Sequence, residues 1–216
     1  MSSTPSEKLL KFFSSSRPSY YKKGEIVLRI GDARSGAFFI KRGYVKDSTL
    51  SFDGREFTLF IFQPKDIFSY NWIYNQMPNE HSFRAMSECL IYEKSREGLL
   101  LFLEQNPDVQ FMITQNLAKR LRGLMQRMEQ MAFGTAAQKV SSIFRVLAER
   151  FGKDGERGVQ ITLSLTQRDI AELIAISRET TSIEIKKLID AKILSRSSGT
   201  YTVLNMKKLY SYSIAS

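Results

Sequence analysis

Along this chain the spacing of hydrophobic and polar positions changes character near residue 95. From about Pro18 to Glu93, short apolar runs such as Glu25–Leu28, Ala37–Lys41 and Glu56–Phe62 are rich in β-branched and aromatic residues, and Gly24, Gly31, Gly36, Gly43 and Gly54 punctuate them. This pattern predicts short strands joined by turns. Asp53-Gly54 marks a hairpin of type I′, because that turn needs positive φ at both central positions. Two more β runs, Ser82–Ala85 and Cys89–Glu93, complete the set. No helical pattern lies between the strands, so an antiparallel barrel or roll is expected. A short amphipathic stretch with Leu9, Leu10, Phe12 and Phe13 precedes it.

From Arg96 the period becomes helical. Leu99, Leu100, Phe102 and Leu103 make one face, Pro107 suits the first turn of a new helix, and a long helix continues to about Met131. Within it Leu117, Leu121, Leu124, Met128 and Met131 fall at steps of four, three, four and three, a heptad seam. A seam of this length fits either dimerisation through the helix or packing of the helix on its own roll. Gly134 interrupts. Ala136–Phe151 resumes as a helix with Val140, Ile143, Phe144 and Leu147 on one side, and Gly152–Gly158 reads as a loop.

The remaining residues make a compact pattern. Thr166 to Asp169 is a capping-box-like start for a short helix through Ile174. Ala175 and Ile176 leave room only for a tight turn, after which Ser177 can cap a second helix, Arg178 to about Ala191, that buries Ile185, Leu188 and Ile189. That is helix-turn-helix spacing. Ile193–Leu204 then reads as two short strands about Ser198-Gly199, a β wing.

Composition narrows the chemistry. With 216 residues, 43% hydrophobic and 25% charged, the chain is globular. It lacks an apolar run of the roughly 18 residues a membrane span needs, and its start lacks the order of a signal peptide, so a soluble cytoplasmic protein with no membrane partner is expected. The net charge of +10 attracts polyanions, nucleic acid first among them. One cysteine, Cys89, and one histidine, His81, exclude an internal disulfide, a Cys/His zinc site and a four-cysteine iron–sulfur cluster within one chain. The same scarcity, with no P-loop, argues against an enzyme: no catalytic residues, metal or cofactor are assigned. Cys89 reads as a small buried thiol.

Residues Leu165 to Ser182 closely resemble the helix-turn-helix of the CRP/FNR family of bacterial transcription regulators, with Ser177, Arg178, Glu179 and Thr180 at the core of the match. The order of parts is similar too, and Gly31 and Gly43 bracket Ala37–Lys41 much as the family's roll glycines bracket an aromatic strand. The resemblance implies an α+β chain with three parts. Residues 1–106 would be an antiparallel β-roll of the cyclic-nucleotide-binding type, 107–134 a dimerisation helix, and 135–216 a winged helix-turn-helix. It implies a homodimer on double-stranded DNA, with RNA polymerase as a further partner. By position, Arg178 and Glu179 become base-edge readers, Ser182 a base or phosphate contact and Thr180 a phosphate contact. Thr166, Gln167 and Lys186 complete the DNA-facing set, and Leu117, Leu121, Leu124, Met128 and Met131 the dimer seam. The chemistry agrees: an arginine fork donates to guanine O6 and N7, and a glutamate accepts from cytosine N4.

Departures from the family's pattern carry expectations of their own. Ile183 stands where many members have arginine, so a guanine contact is lost or a thymine-methyl contact replaces it. Ala175 stands where the family's turn usually has glycine, which predicts a differently shaped turn. In members that bind cyclic AMP a glycine-glutamate pair grips the ribose; here Ser69 and Tyr70 occupy that place, and Arg84 is out of register for the cyclic phosphate. Cyclic AMP is therefore not expected as the effector; whether a small-molecule effector exists is left open, and Ser69, Tyr70, Trp72 and Arg84 are the candidate contacts for one. Phe68, Tyr70, Trp72 and Tyr74 alternate as on a strand, fitting either core or pocket. His81 reads as a solvated loop residue. A competing reading is a cyclic-nucleotide-fold interaction protein that binds a protein partner instead of DNA.

Overall fold

The computed structural model describes residues 3–32, 36–197 and 199–214. The chain forms two compact units, Met1–Arg120 and Leu121–Ser216.

The first unit opens with α1 (Pro5–Ser14), where Thr4 caps the first turn and Glu7 reaches back to the Thr4 amide. Two four-stranded antiparallel sheets follow. One runs in the order β1 (Ser19–Tyr21), β8 (Cys89–Lys94), β3 (Ala37–Arg42), β6 (Ile67–Phe68); the other runs β2 (Ile26–Leu28), β7 (Ser82–Ala85), β4 (Val45–Leu50), β5 (Glu56–Phe62). The roll expected from the sequence is present. β3 is buried on both faces because it serves two cores. Phe38 and Ile40 join Val45, Phe62, Phe68, Phe83 and Ile91 in one cluster, while Ala37 and Phe39 join a second built from the helices. That second cluster takes Leu9 and Phe13 from α1, Leu99 and Leu103 from α2 (Arg96–Gln105), and Val109 and Ile113 from α3 (Pro107–Phe133). Gly43 is needed at its φ of +92°, and a Cβ there would collide with the Glu88 carbonyl oxygen and Cys89 Sγ. Cys89 is buried, as expected, and burial pushes its thiol pKa up.

Three expectations for this unit need correction. The Asp53-Gly54 hairpin exists, but its loop runs Ser51–Arg55 and only Gly54 takes positive φ, +78°, so it is not a two-residue type I′ turn. The aromatic alternation after Phe68 is not a strand: Asn71–Asn75 is one π-type helical turn, entered through Ser69 at φ 74° and left through Gln76 at φ 54°. His81 is not simply solvated. Its Nδ1 lies 3.1 Å from Oδ1 of buried Asp47, and that hydrogen bond raises the imidazole pKa above its ordinary value.

The second unit takes the C-terminal part of α3 and then α4 (Ala136–Phe151), which begins at a Thr135–Gln138 capping box and buries Val140, Ile143, Phe144 and Leu147. Gly152–Gly158 is not a plain loop but part of a hairpin, β9 (Gly152–Gly155) and β10 (Gly158–Ile161). With β11 (Leu194–Ser197) and β12 (Thr200–Val203) it makes a sheet of order β11-β12-β10-β9. The wing is thus the β11–β12 hairpin, as read; Ser198 of its turn lies outside the described residues. Between the hairpins stand α5 (Gln167–Ile174) and α6 (Arg178–Asp190), and α7 (Met206–Ile214) follows, with its Leu209 fully buried. α6 buries Thr181, Ile185 and Leu188; Ile189, expected in the core, is only half-buried, because the 181, 185, 188 spacing sets the inward stripe.

Candidate nucleic-acid interface

The head of α5 is built as its sequence requires. Thr166 Oγ1 accepts from the Asp169 amide at 3.1 Å, and Asp169 Oδ2 accepts from the Thr166 amide at 2.8 Å and from its hydroxyl at 2.6 Å. Thr166 is exposed and Gln167 half-buried at this end. α5 stops at Ala175, which adopts φ 53°, ψ 43°. The turn therefore keeps the left-handed shape that glycine would take, and alanine bears the strain; the expectation of a differently shaped turn was incorrect. Left-handed backbone costs an L-residue about 1–2 kcal/mol, partly offset by the lower unfolded-state entropy of alanine relative to glycine. Ala175→Gly should thus stabilise this unit by about 0.5–1 kcal/mol in denaturant titration. A lower midpoint would contradict the strain argument.

Ser177 caps α6, its Oγ accepting from the Thr180 amide at 3.0 Å and sharing a 2.9 Å hydrogen bond with the Thr180 hydroxyl. Thr181 turns inward and donates to the Ser177 carbonyl oxygen at 2.9 Å, which locks the turn against the helix. With Thr181, Ile185 and Leu188 facing the core, the opposite stripe is free. The Arg178 and Glu179 side chains are 68% and 73% exposed, Ile183 is 57% exposed, Lys186 is exposed and Ser182 half-buried. Arg178 Nε stands 3.6 Å from Glu179 Oε1, a weak surface pair. Hydrogen bonding from its own backbone amide, with smaller help from Ser177 and Arg178, holds the Glu179 carboxyl below its usual range, so it is an ionised acceptor at neutral pH. Lys187 is engaged elsewhere, 2.7 Å from Glu184. One helix thus presents an arginine fork, a carboxylate, a hydroxyl, an apolar side chain and a lysine on one exposed stripe.

The seam on α3 divides at its first member. Leu117 packs against the helical core cluster of the first unit, whereas Leu121 and Met128 are 60% and 68% exposed, as is Met125 at 56%. Leu124 and Met131 are half-buried. Packing on its own roll thus accounts for Leu117 and leaves Leu121 and Met128 open.

The candidate effector residues do not converge. Tyr70 and Trp72 belong to the helical turn and its approach, with Ser69 at the strained residue before it. Arg84 sits on β7 between Phe83 and Ala85, which face the roll interior, so it occupies the opposite face and donates from Nη1 to the Gly24 carbonyl oxygen at 2.9 Å. A residue the sequence reading passed over, Arg120, does contact this region: its Nη2 is 2.7 Å from Asp66 Oδ1. Nothing local in the sequence signals that pair, since its members are 54 positions apart. Among the described residues no group of three or more His, Cys, Asp or Glu side chains is placed to hold a metal, and no helix is long and apolar enough to cross a membrane.

Comparison with known proteins agrees with this layout. Residues 18–106 match the cyclic nucleotide-binding domain, and residues 138–212 the Crp-like helix-turn-helix domain. The chain is 29% identical over 164 residues, 76% of its length and 73% of the relative's, to the CRP-like cAMP-activated global transcriptional regulator of Mycobacterium tuberculosis. It is 23% identical over 210 residues, 94% of its length and 98% of the relative's, to the cAMP-activated global transcriptional regulator CRP of Pasteurella multocida. In fold it is similar to a CooA mutant from Carboxydothermus hydrogenoformans, with a TM-score of 0.79 at 23% identity over 95% of this chain and 89% of that one. The two curated relatives are named as global transcriptional regulators. With a cyclic nucleotide-binding-type roll, a long helix and a Crp-like helix-turn-helix in this order, the chain belongs to the CRP/FNR family of transcription regulators.

Proposed function

We propose that the protein acts in the cytoplasm as a homodimer on an inverted-repeat DNA site and that cyclic AMP is not its effector. The observation that carries the reading is the free stripe of α6, with Arg178 and Glu179 in its first turn, where a helix entering the major groove meets base edges. In this reading Ser182 and Ile183 extend that stripe along the groove, Thr180 and Lys186 contact phosphate, and Thr166 and Gln167 complete the DNA-binding set. In the same reading, residues 1–106 sense, 107–134 dimerise through the open part of the seam and 135–216 bind DNA. RNA polymerase would be the partner through which binding changes transcription. A mobility-shift titration on genomic fragments tests the DNA reading. Saturable binding to discrete fragments with a steep inverse salt dependence is expected, and no binding at low salt would overturn it.

The effector reading rests on Ser69 and Tyr70. Neither supplies the carboxylate that would accept from a ribose 2′-hydroxyl, and a ribose buried without that acceptor is costly. Both M. tuberculosis and P. multocida relatives carry names that make them cAMP-activated. For this chain, calorimetry should show no saturable binding of cyclic AMP or cyclic GMP at low micromolar concentration. Such binding, accompanied by a change in DNA affinity, would reverse the conclusion.

A further inference from the structure

The roll-bound half of α3 is held by more than apolar packing. Beyond Val109, Ile113 and Leu117, Arg120 reaches back to the roll. Its Nη2 pairs with Asp66 Oδ1 at 2.7 Å, its Nη1 donates to the Ile67 carbonyl oxygen at 3.3 Å, and its guanidinium stands 5.0 Å from the Phe62 ring centroid and 5.6 Å from that of Tyr70. The two charged side chains are only 15% and 17% exposed, and Asp66 is itself fixed by accepting from the Gln63 amide at 2.9 Å. Burial pushes the Tyr70 phenol up to about 12, so it stays neutral beside the guanidinium. A planar fork seated on a carboxylate, a carbonyl and two rings fixes direction as well as distance.

These partners come from the end of β5 (Phe62), the connection that follows it (Asp66), β6 (Ile67) and the approach to the Asn71–Asn75 turn (Tyr70), next to Ser69 and Trp72. Aromatic side chains pack between the two sheets nearby: Phe38 stacks on Phe68 at 5.1 Å, Phe68 on Phe83 at 5.1 Å, and Phe62 lies 5.5 Å from Phe68. We propose that Arg120, held by Asp66, Tyr70 and Phe62, is a built-in latch that seats α3 on the roll without any bound small molecule. The ligand-free protein is then already competent to dimerise and bind DNA, and Arg120 is a positioning residue for both. This deepens the dimeric DNA-binding reading above and rests on it.

The test uses full-length protein unfolded in guanidinium chloride, dialysed and refolded to strip small molecules. Dimer affinity is read by sedimentation, DNA affinity by titration, and the 69–74 segment by the emission of Trp72, the chain's one tryptophan. Refolded wild type should match the protein as purified within about threefold in both affinities. Arg120→Gln, which leaves the half-buried Asp66 carboxylate without its cation, should weaken dimerisation about tenfold or more and shift the Trp72 emission. Arg120→Lys, keeping the charge without the fork, should recover part of the loss. Asp66→Asn combined with Arg120→Gln should be no worse than Arg120→Gln alone, as coupled partners require. If Arg120→Gln fails to fold, the graded loss in Arg120→Lys decides. Unchanged dimerisation in the Arg120 variants would overturn the latch. So would refolded wild type that dimerises only after the small-molecule fraction of a cell lysate is returned. Wild type that dimerises but binds no DNA would instead overturn the DNA reading.

Discussion

Replacing Leu121 and Leu124 together by glutamate should convert the protein to monomers and abolish its DNA binding. Leu121 is 60% exposed in the single chain and Leu124 half-buried, so neither is a main support of either unit's core. Each leucine buried between two copies of α3 contributes roughly 1.5–3 kcal/mol before association costs, and a two-fold interface loses every contact twice. Four carboxylates facing one another add repulsion and desolvation. A total loss of about 4 kcal/mol or more, a thousandfold in dimer affinity, is the conservative expectation. Far-UV circular dichroism should stay unchanged, because neither side chain belongs to the buried core of the single chain. A folded double variant that remains dimeric at micromolar concentration in the ultracentrifuge would remove the seam from the account.

The second large effect concerns base readout. Arg178→Ala and Glu179→Ala should each cost about 1–3 kcal/mol on the preferred site and relax the preference at one position of each half-site, in a randomised-site selection. Lys186→Ala should weaken all sequences alike and lower the salt slope, as loss of a phosphate contact does. Ile183 has no donor, so its position should show no guanine preference. Ile183→Arg should create one without harming the fold, since that side chain is 57% exposed. Unchanged preferences in the Arg178, Glu179 and Ile183 variants would mean that α6 does not read DNA.

Why some of this was legible in sequence and some was not follows from the range of the interactions. Helix ends at Thr166 and Ser177 are set by side chains three residues from their partners, and both caps stand where the sequence puts them. The long helix begins at Pro107 for an equally local reason. β9 was missed because all four of its residues are exposed, so no apolar alternation marks it; its pairing with β10, and the pairing of Val159 with Val203 on β12, specify it. The aromatic run after Phe68 misled because alternate residues can match a strand period while the backbone turns on itself. Asp47 with His81 and Asp66 with Arg120 are contacts across the fold, beyond any local spacing rule. On α6 the exposed stripe was legible because Thr181, Ile185 and Leu188 fix its opposite. The left-handed Ala175 was not, because a local rule judged the strain without the tight connection between α5 and α6 that imposes it.

If two copies of α6 read DNA together, their symmetry should be imprinted on the DNA that the wild-type protein selects from a random library. The selected DNA should be an inverted repeat whose half-site centres lie about one helical turn, 34–36 Å, apart. Each half-site should carry a G·C pair in register with Arg178 and Glu179. Enrichment of a single unrepeated element, or of no sequence at all, would contradict it.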